Sequence, residues 1–138
     1  MISVEEERAW HGTHVFGTIG AVGGNGRGVS SMLPDSSGIC YLIVRVFDDD
    51  NNGQYASILY EGVDWAISQG ANVINISSGG PLKSRTGQVS FDRAYGNGAL
   101  VVASAGNMGS SALQYPAGFN RVLGVAAVED DGSRAWFS

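Results

Sequence analysis

Apolar runs and helically spaced apolar positions alternate along this chain, which is the arrangement of a parallel sheet covered by helices. Tyr41-Leu42-Ile43-Val44-Arg45-Val46-Phe47 is a largely apolar, β-branched run closed by Asp48-Asp49-Asp50-Asn51-Asn52-Gly53, and it predicts a buried strand followed by a tight turn. Ile58, Leu59, Val63, Ala66 and Ile67 then recur at helical spacing up to Gly70, a residue suited to the position just past a helix end. Val73-Ile74-Asn75-Ile76 reads as a second strand, Leu100-Val101-Val102-Ala103 as a third and residues 122–128 as a fourth. A helix over residues 88–95 keeps the period only in part, through Val89, Phe91 and Ala94. A further helix is expected from about His14 to Ala21; Gly17 and Gly20 would each cost it about 1 kcal/mol relative to Ala, so close packing against another backbone is the expected reason for them. The pattern predicts an α/β fold without internal repeat or linker. In such sheets ligands bind at the carboxyl ends of the strands, which points to two polar, glycine-rich segments, residues 77–80 and 104–109.

Composition narrows the classes. The chain has 138 residues, 43% hydrophobic and 15% charged, enough apolar content for a core and too much for a disordered chain. Its net charge of −5 argues against nucleic acid or an anionic membrane as a partner, since both demand basic surfaces. The 21 glycines cluster in short runs between apolar stretches, which marks turns and excludes a collagen-like period. Cys40 is the single cysteine, so neither an internal disulfide nor a multi-cysteine zinc site is available, and the compartment stays open. No apolar run reaches 18 residues, and Glu5, Glu6 and Glu7 stand where a secretory signal would be basic and then apolar. The chain as given is expected neither to span a membrane nor to carry its own export signal.

Three patterns invite chemical readings. The only two histidines, in His11-Gly12-Thr13-His14, read as a pair at a glycine-flanked helix start, where an imidazole can serve as a general base near neutral pH; by composition alone a structural role for both is favoured. A metal site built on them lacks further ligands, so none is expected. Asp48-x-Asp50-x-Asn52-Gly53 imitates the first half of a calcium-binding loop, but the twelfth position would be Leu59 rather than a bidentate Glu, which favours a solvated turn. Gly23-Gly24-Asn25-Gly26-Arg27-Gly28 lacks the Gly-Lys-Ser/Thr ending of a phosphate loop and a correctly spaced dinucleotide fingerprint, which leaves a flexible loop.

Taken together, several segments carry a family resemblance. His11-Gly12-Thr13-His14-Val15-Phe16-Gly17-Thr18-Ile19 resembles the histidine motif of the subtilisin-like serine proteases (subtilases, peptidase S8 type). Val44-Arg45-Val46, Asn52-Gly53, the helix ending at Ser68-Gln69-Gly70, and Val73-Ile74-Asn75-Ile76-Ser77-Ser78-Gly79-Gly80-Pro81 look like that family's central strand, helix and substrate-edge segment, in the family's order. Ala103-Ser104-Ala105-Gly106-Asn107 looks like its oxyanion-asparagine loop, followed by Tyr115-Pro116-Ala117 and Val122-Leu123-Gly124-Val125-Ala126-Ala127-Val128. The resemblance covers about Trp10 to Ser138.

It implies a three-layer subtilisin-like fold with a mostly parallel sheet, incomplete at both ends, and a Ser-His-Asp endopeptidase. His11 would take the proton of a serine nucleophile, Asn107 would donate its amide to the oxyanion, and His14 would be structural. Ser77, Ser78 and Gly79 would offer backbone groups to a polypeptide substrate in extended conformation; Ser78 stands where the family commonly has a leucine. No cofactor is required, and structural calcium at residues 23–28, used by some relatives, lacks a complete ligand set. The triad of this family runs Asp, His, Ser along the chain, yet only ten residues precede His11, none of them Asp, and nothing after Asn107 resembles the nucleophile segment. The chain is therefore expected to be the middle of a protease domain, inactive alone. The alternative is a non-catalytic truncated relative that binds peptides or inhibits, and an unrelated α/β binding domain is a third possibility.

Overall fold

The computed structural model describes residues 4–33, 38–47 and 56–138. Its elements run α1 (Val4–Gly20), α2 (Ala56–Ser68), β1 (Val73–Ile76), α3 (Arg85–Gly96), β2 (Leu100–Ser104) and β3 (Val122–Val125). They fall into two compact units: α1 with its following loop in one, and Val44–Val46 with everything from α2 onward in the other.

In the larger unit, α2 and α3 end in the same way, and each end feeds a strand. The amide of Gly70 donates to Ile67 and that of Ala71 to Ala66, while Gly98 donates to Tyr95 and Ala99 to Ala94. This is the paired closure in which a left-handed residue satisfies the last carbonyls of a helix. Gly70 and Gly98 both have φ of +80°, a conformation that costs glycine nothing and an L side chain about 1–2 kcal/mol. The chain turns sharply at each and enters β1 or β2 within a few residues.

β2 is the middle strand of a parallel sheet ordered β1-β2-β3. Val73 registers with Leu100 and Ile76 with Ala103 on one side; Val101 registers with Val122 and Ser104 with Val125 on the other. Alternation along the strands sends Ile76, Val101 and Ala103 to a face covered by Tyr60 and Val63 of α2 and Phe91 and Ala94 of α3, all buried. Phe119, from the loop before β3, completes this core by stacking near Phe91 at 5.2 Å and Tyr115 at 4.7 Å between ring centroids. On the opposite face Val73, Leu100, Leu123 and Val125 remain exposed. The fold is α/β, as the periodicity predicts.

Four local expectations are corrected. Residues 41–47 carry no strand, although their composition favours one: β-branched residues supply propensity, but a strand exists only where a neighbour completes the ladder. Val44 instead packs on α2, where a Cβ built at Gly62 would come within 2.9 Å of its Cγ1. The first helix begins at Val4, not near His14, because the Glu-, Ala- and Arg-rich residues before Trp10 are good helix formers; both histidines therefore lie inside α1. Gly20 does mark a close approach, but to the Tyr41 ring, whose Cζ would lie 2.7 Å from an added Cβ, rather than to another backbone. The last strand closes at Val125, and Val128 leaves it to form an antiparallel bridge with Arg134.

α3 also starts earlier than its periodicity suggests, at Arg85. Ser84 is extended (φ −128°, ψ 133°) and its hydroxyl accepts from the amide of Gly87, a helix cap that a hydrophobic period cannot register. The acidic turn at residues 48–53 lies outside the described residues. Residues 23–28 form a run of bends in which Asn25 Oδ1 accepts from the amide of Arg27 at 2.9 Å. Among the described residues no cluster of three or more His, Cys, Asp or Glu is placed to hold a metal, and no helix is long and apolar enough to cross a membrane.

Candidate functional site

The carboxyl ends of β1, β2 and β3 converge on a cavity of about 290 Å³. Parallel strands produce this convergence because all three chains leave the sheet at the same edge. Ser77 enters from the end of β1 and Asn107 from the loop after β2; Ser104 and Ser138 add hydroxyls, and Val102, Val125 and Ala127 line the rest. Sequence reasoning pointed to both segments, and the fold brings Ser77 and Asn107 to one cavity from positions 30 residues apart.

Each segment is held by backbone bonds. After β2, the amide of Ala105 donates to the carbonyl of Val125 at 2.8 Å and that of Gly106 to Ser104 Oγ at 3.1 Å, which carries Asn107 outward past the end of the sheet. Asn107 is exposed, with its side chain available to a molecule at the cavity. After β1, Gly80 exchanges both of its backbone groups with Tyr115, at 2.9 and 2.8 Å. A peptide adding as a strand at this edge must therefore pair with residues before Gly80, namely Ser77, Ser78 and Gly79. The approach of the Tyr115 segment is close: a Cβ at Gly79 would lie 2.9 Å from the Tyr115 carbonyl oxygen. The Tyr115–Pro116 peptide bond is cis.

Among the described residues lining this cavity, none has a titratable side chain. A neutral polar site cannot move protons by itself. It can aim hydrogen-bond donors at a developing negative charge, and such donors are most effective when pre-oriented and shielded from water. His11 lies in α1, in the other unit, exposed on a helix whose Thr18 hydroxyl donates to the His14 carbonyl one turn earlier.

Two contributors escape sequence reasoning. Asn75 lines the cavity, and its Nδ2 donates to Ser77 Oγ at 2.9 Å, orienting that hydroxyl. A lone polar residue in the apolar run Val73-Ile74-Asn75-Ile76 was the signal that could have found it. Ser138 also reaches the rim, its Oγ accepting from the amide of Ala127 at 2.9 Å. Nothing in the pattern around Ser138 marks it, because its placement depends on a turn more than ten residues long.

Comparison with known proteins finds similar chains among the subtilisins and subtilisin-like proteases. A profile described as the subtilase family matches residues 2–138. Subtilisin DY of Bacillus licheniformis is 41% identical over 132 residues, which cover 93% of this chain and 46% of that protein. The thermostable alkaline protease of Halalkalibacterium halodurans is 40% identical over 128 residues, covering 93% of this chain and 34% of its own. Among solved structures, the psychrophilic subtilisin-like protease Apa1 from the Antarctic psychrotroph Pseudoalteromonas sp. AS-11 superposes with a TM-score of 0.82 at 39% identity, covering 92% of this chain and 29% of that one. The self-cleaved protease domain of PatA superposes with a TM-score of 0.79 at 33% identity, covering 92% and 48%. The chain spans less than half the length of each of these relatives.

Proposed function

The chain belongs to the subtilase family, and from that premise we propose that it supplies the general base, the oxyanion donor and the substrate edge of a serine endopeptidase. The nucleophilic serine and the aspartate that orients the imidazole come, in this reading, from segments outside these 138 residues. The observation that carries it is the meeting of Ser77 and Asn107 at one cavity, lined by no titratable side chain, beyond the carboxyl ends of the parallel strands. The family supports His11 as the base, since it heads the histidine motif.

The chemistry then balances without a cofactor. A polypeptide lies extended against Ser77, Ser78 and Gly79, which fixes the scissile carbonyl in register with the site. As the serine oxygen bonds to the carbonyl carbon, its proton passes to the His11 imidazole and the carbonyl electron pair moves onto oxygen. The Asn107 side-chain amide donates to that oxyanion. On collapse the C–N bond breaks and the leaving amine takes the proton from His11; water, deprotonated by the same imidazole, then attacks the acyl carbon, the ester C–O bond breaks, and the serine oxygen leaves with that proton.

The test is to complete the enzyme. The aspartate-bearing strand region and the serine-bearing helix of subtilisin DY are joined to this chain in the register of that relative, and hydrolysis of a fluorogenic peptide is measured with the serine intact or replaced by alanine. Serine-dependent turnover is expected. A chimera that melts cooperatively yet shows no such turnover would replace this reading with the non-catalytic one, in which the same edge binds peptides without cleaving them.

A further inference from the structure

Asn107 does not hang from a loose loop. Two residues before it, the amide of Ala105 is bonded to Val125 at 2.8 Å; two residues after it, the amide of Gly109 is bonded to the carbonyl of Phe137 at 2.6 Å. The second anchor belongs to residues 135–138, a short strap that is fastened independently. Ala135 is buried and donates its amide to Ala127 at 3.0 Å, and Ser138 donates its amide to Ala135 at 3.0 Å. Ser138 Oγ accepts from the Ala127 amide at 2.9 Å, so the strap is tied to both backbone groups of Ala127, just past β3. The fit at the anchor leaves no space: Gly109 has φ of +59°, and a Cβ added there would stand 2.9 Å from the Trp136 carbonyl oxygen and 3.7 Å from Phe137 Cα.

From this geometry we infer that Gly109 and the strap of residues 135–138, through Phe137 and Ser138, are positioning residues for the oxyanion donor: they hold the Asn107 loop at the height where its amide meets the tetrahedral intermediate. The inference rests on the proposed endopeptidase reading. Its physical basis is that a donor must lie within about 2.7–3.1 Å of the place the oxyanion will occupy. A loop anchored at Ala105 alone would let Asn107 swing out of that range. Gly109 and Phe137 do not line the cavity and act through Asn107; Ser138 reaches its rim, and its positioning role here is the tie of its Oγ to the Ala127 amide.

Two experiments test it. On the 138-residue chain itself, amide hydrogen exchange is followed by NMR in Ser138→Ala, which frees one tie of the strap without adding bulk. Exchange at Gly109 should accelerate at least tenfold while the amides of α3 keep their wild-type rates; an unchanged Gly109 rate overturns the inference.

In the completed chimera, Gly109→Ala is compared with Gly132→Ala. Gly132 has a similar positive φ of +82° but open space around it, so it carries the backbone strain without the clash. Gly109→Ala should lower kcat at least tenfold with KM little changed, Gly132→Ala should not, and in an Asn107→Ala background Gly109→Ala should cost nothing further. Equal losses in both backgrounds, or equal effects of the two glycine changes, refute the positioning role while leaving the endopeptidase reading intact. If instead Asn107→Ala leaves turnover untouched, the oxyanion assignment itself fails, and the positioning role with it. Should Gly109→Ala prevent folding, Ser138→Ala in the same chimera supplies the kcat comparison, with the same tenfold expectation and the same dependence on Asn107.

Discussion

Phe119→Ala removes the ring that joins the buried core to the Tyr115 segment paired with Gly80. Phe119 is 4% exposed and lies within 4.7 Å of Tyr115, 5.2 Å of Phe91 and 6.5 Å of Tyr60, centroid to centroid. All three separations fall in the range of favourable aromatic pairs. An aromatic side chain buries roughly 150–250 Å², and at about 25 cal/mol per Å², less the methyl that alanine retains, the lost transfer energy is about 3–5 kcal/mol. Measured aromatic-to-alanine changes in cores span about 3–5 kcal/mol. With a urea dependence of about 2 kcal/mol per M for a small domain, the unfolding midpoint should fall by roughly 1.5–2.5 M. The emission of Trp65, on α2 in the same unit, reports the transition. Val89→Ala, on the same helix as Phe91 but 54% exposed, should change stability by no more than about 0.5 kcal/mol. Because the Tyr115 backbone holds Gly80, peptide affinity should drop in Phe119→Ala even under conditions where the chain is still folded. A loss below about 1 kcal/mol, indistinguishable from Val89→Ala, would refute the claim that this aromatic column holds the edge in place.

The remaining predictions concern activity and surface. The 138-residue chain alone should not hydrolyse a fluorogenic peptide, since a base and an oxyanion donor without a nucleophile leave only weak residual catalysis; turnover blocked by a serine-directed phosphonate would contradict this. In the completed chimera, His11→Ala should abolish activity and His14→Ala should not, while Asn107→Ala should lower kcat by about 10²–10³, the loss seen for the oxyanion-hole asparagine of a subtilisin, with KM little changed. Equal losses at the two histidines, or an Asn107 effect confined to KM, would sink the assignments. Gly79→Val should raise KM for extended peptides, because the added Cβ meets the Tyr115 carbonyl oxygen at 2.9 Å and must push the edge away; an unchanged KM in a folded variant would count against pairing at this edge. The exposed face of Val73, Leu100, Leu123 and Val125 should bind an apolar dye and promote association of the isolated chain at high concentration; a monomer with no dye binding would show that face to be covered.

Local order was legible wherever it depended on neighbours in sequence. Helical spacing from Ile58 to Ile67 and the glycine after it located α2 and its end, because the interactions that make and stop a helix span only four or five residues. The apolar runs at Val73 and Leu100 located β1 and β2 for a similar reason: a strand buried on one face must carry its apolar side chains at short spacing. The motifs around His11, Ser77 and Asn107 were also readable, since each is a contiguous string. What required the tertiary structure were pairings between distant segments. Residues 41–47 have strand composition, yet a strand is made by its neighbour, and none among the described residues completes a ladder there. The cap at Ser84 moved the start of α3 beyond its hydrophobic period because a hydroxyl-to-amide bond leaves no periodic trace. The commitment of Gly80 to Tyr115 and the strap that ties Gly109 to Phe137 join residues whose separation no local pattern encodes. Backbone groups carry those ties, and backbone groups are the same at every residue but proline, so the side-chain sequence determined which elements form while the folded chain alone decided which carbonyl each amide would meet.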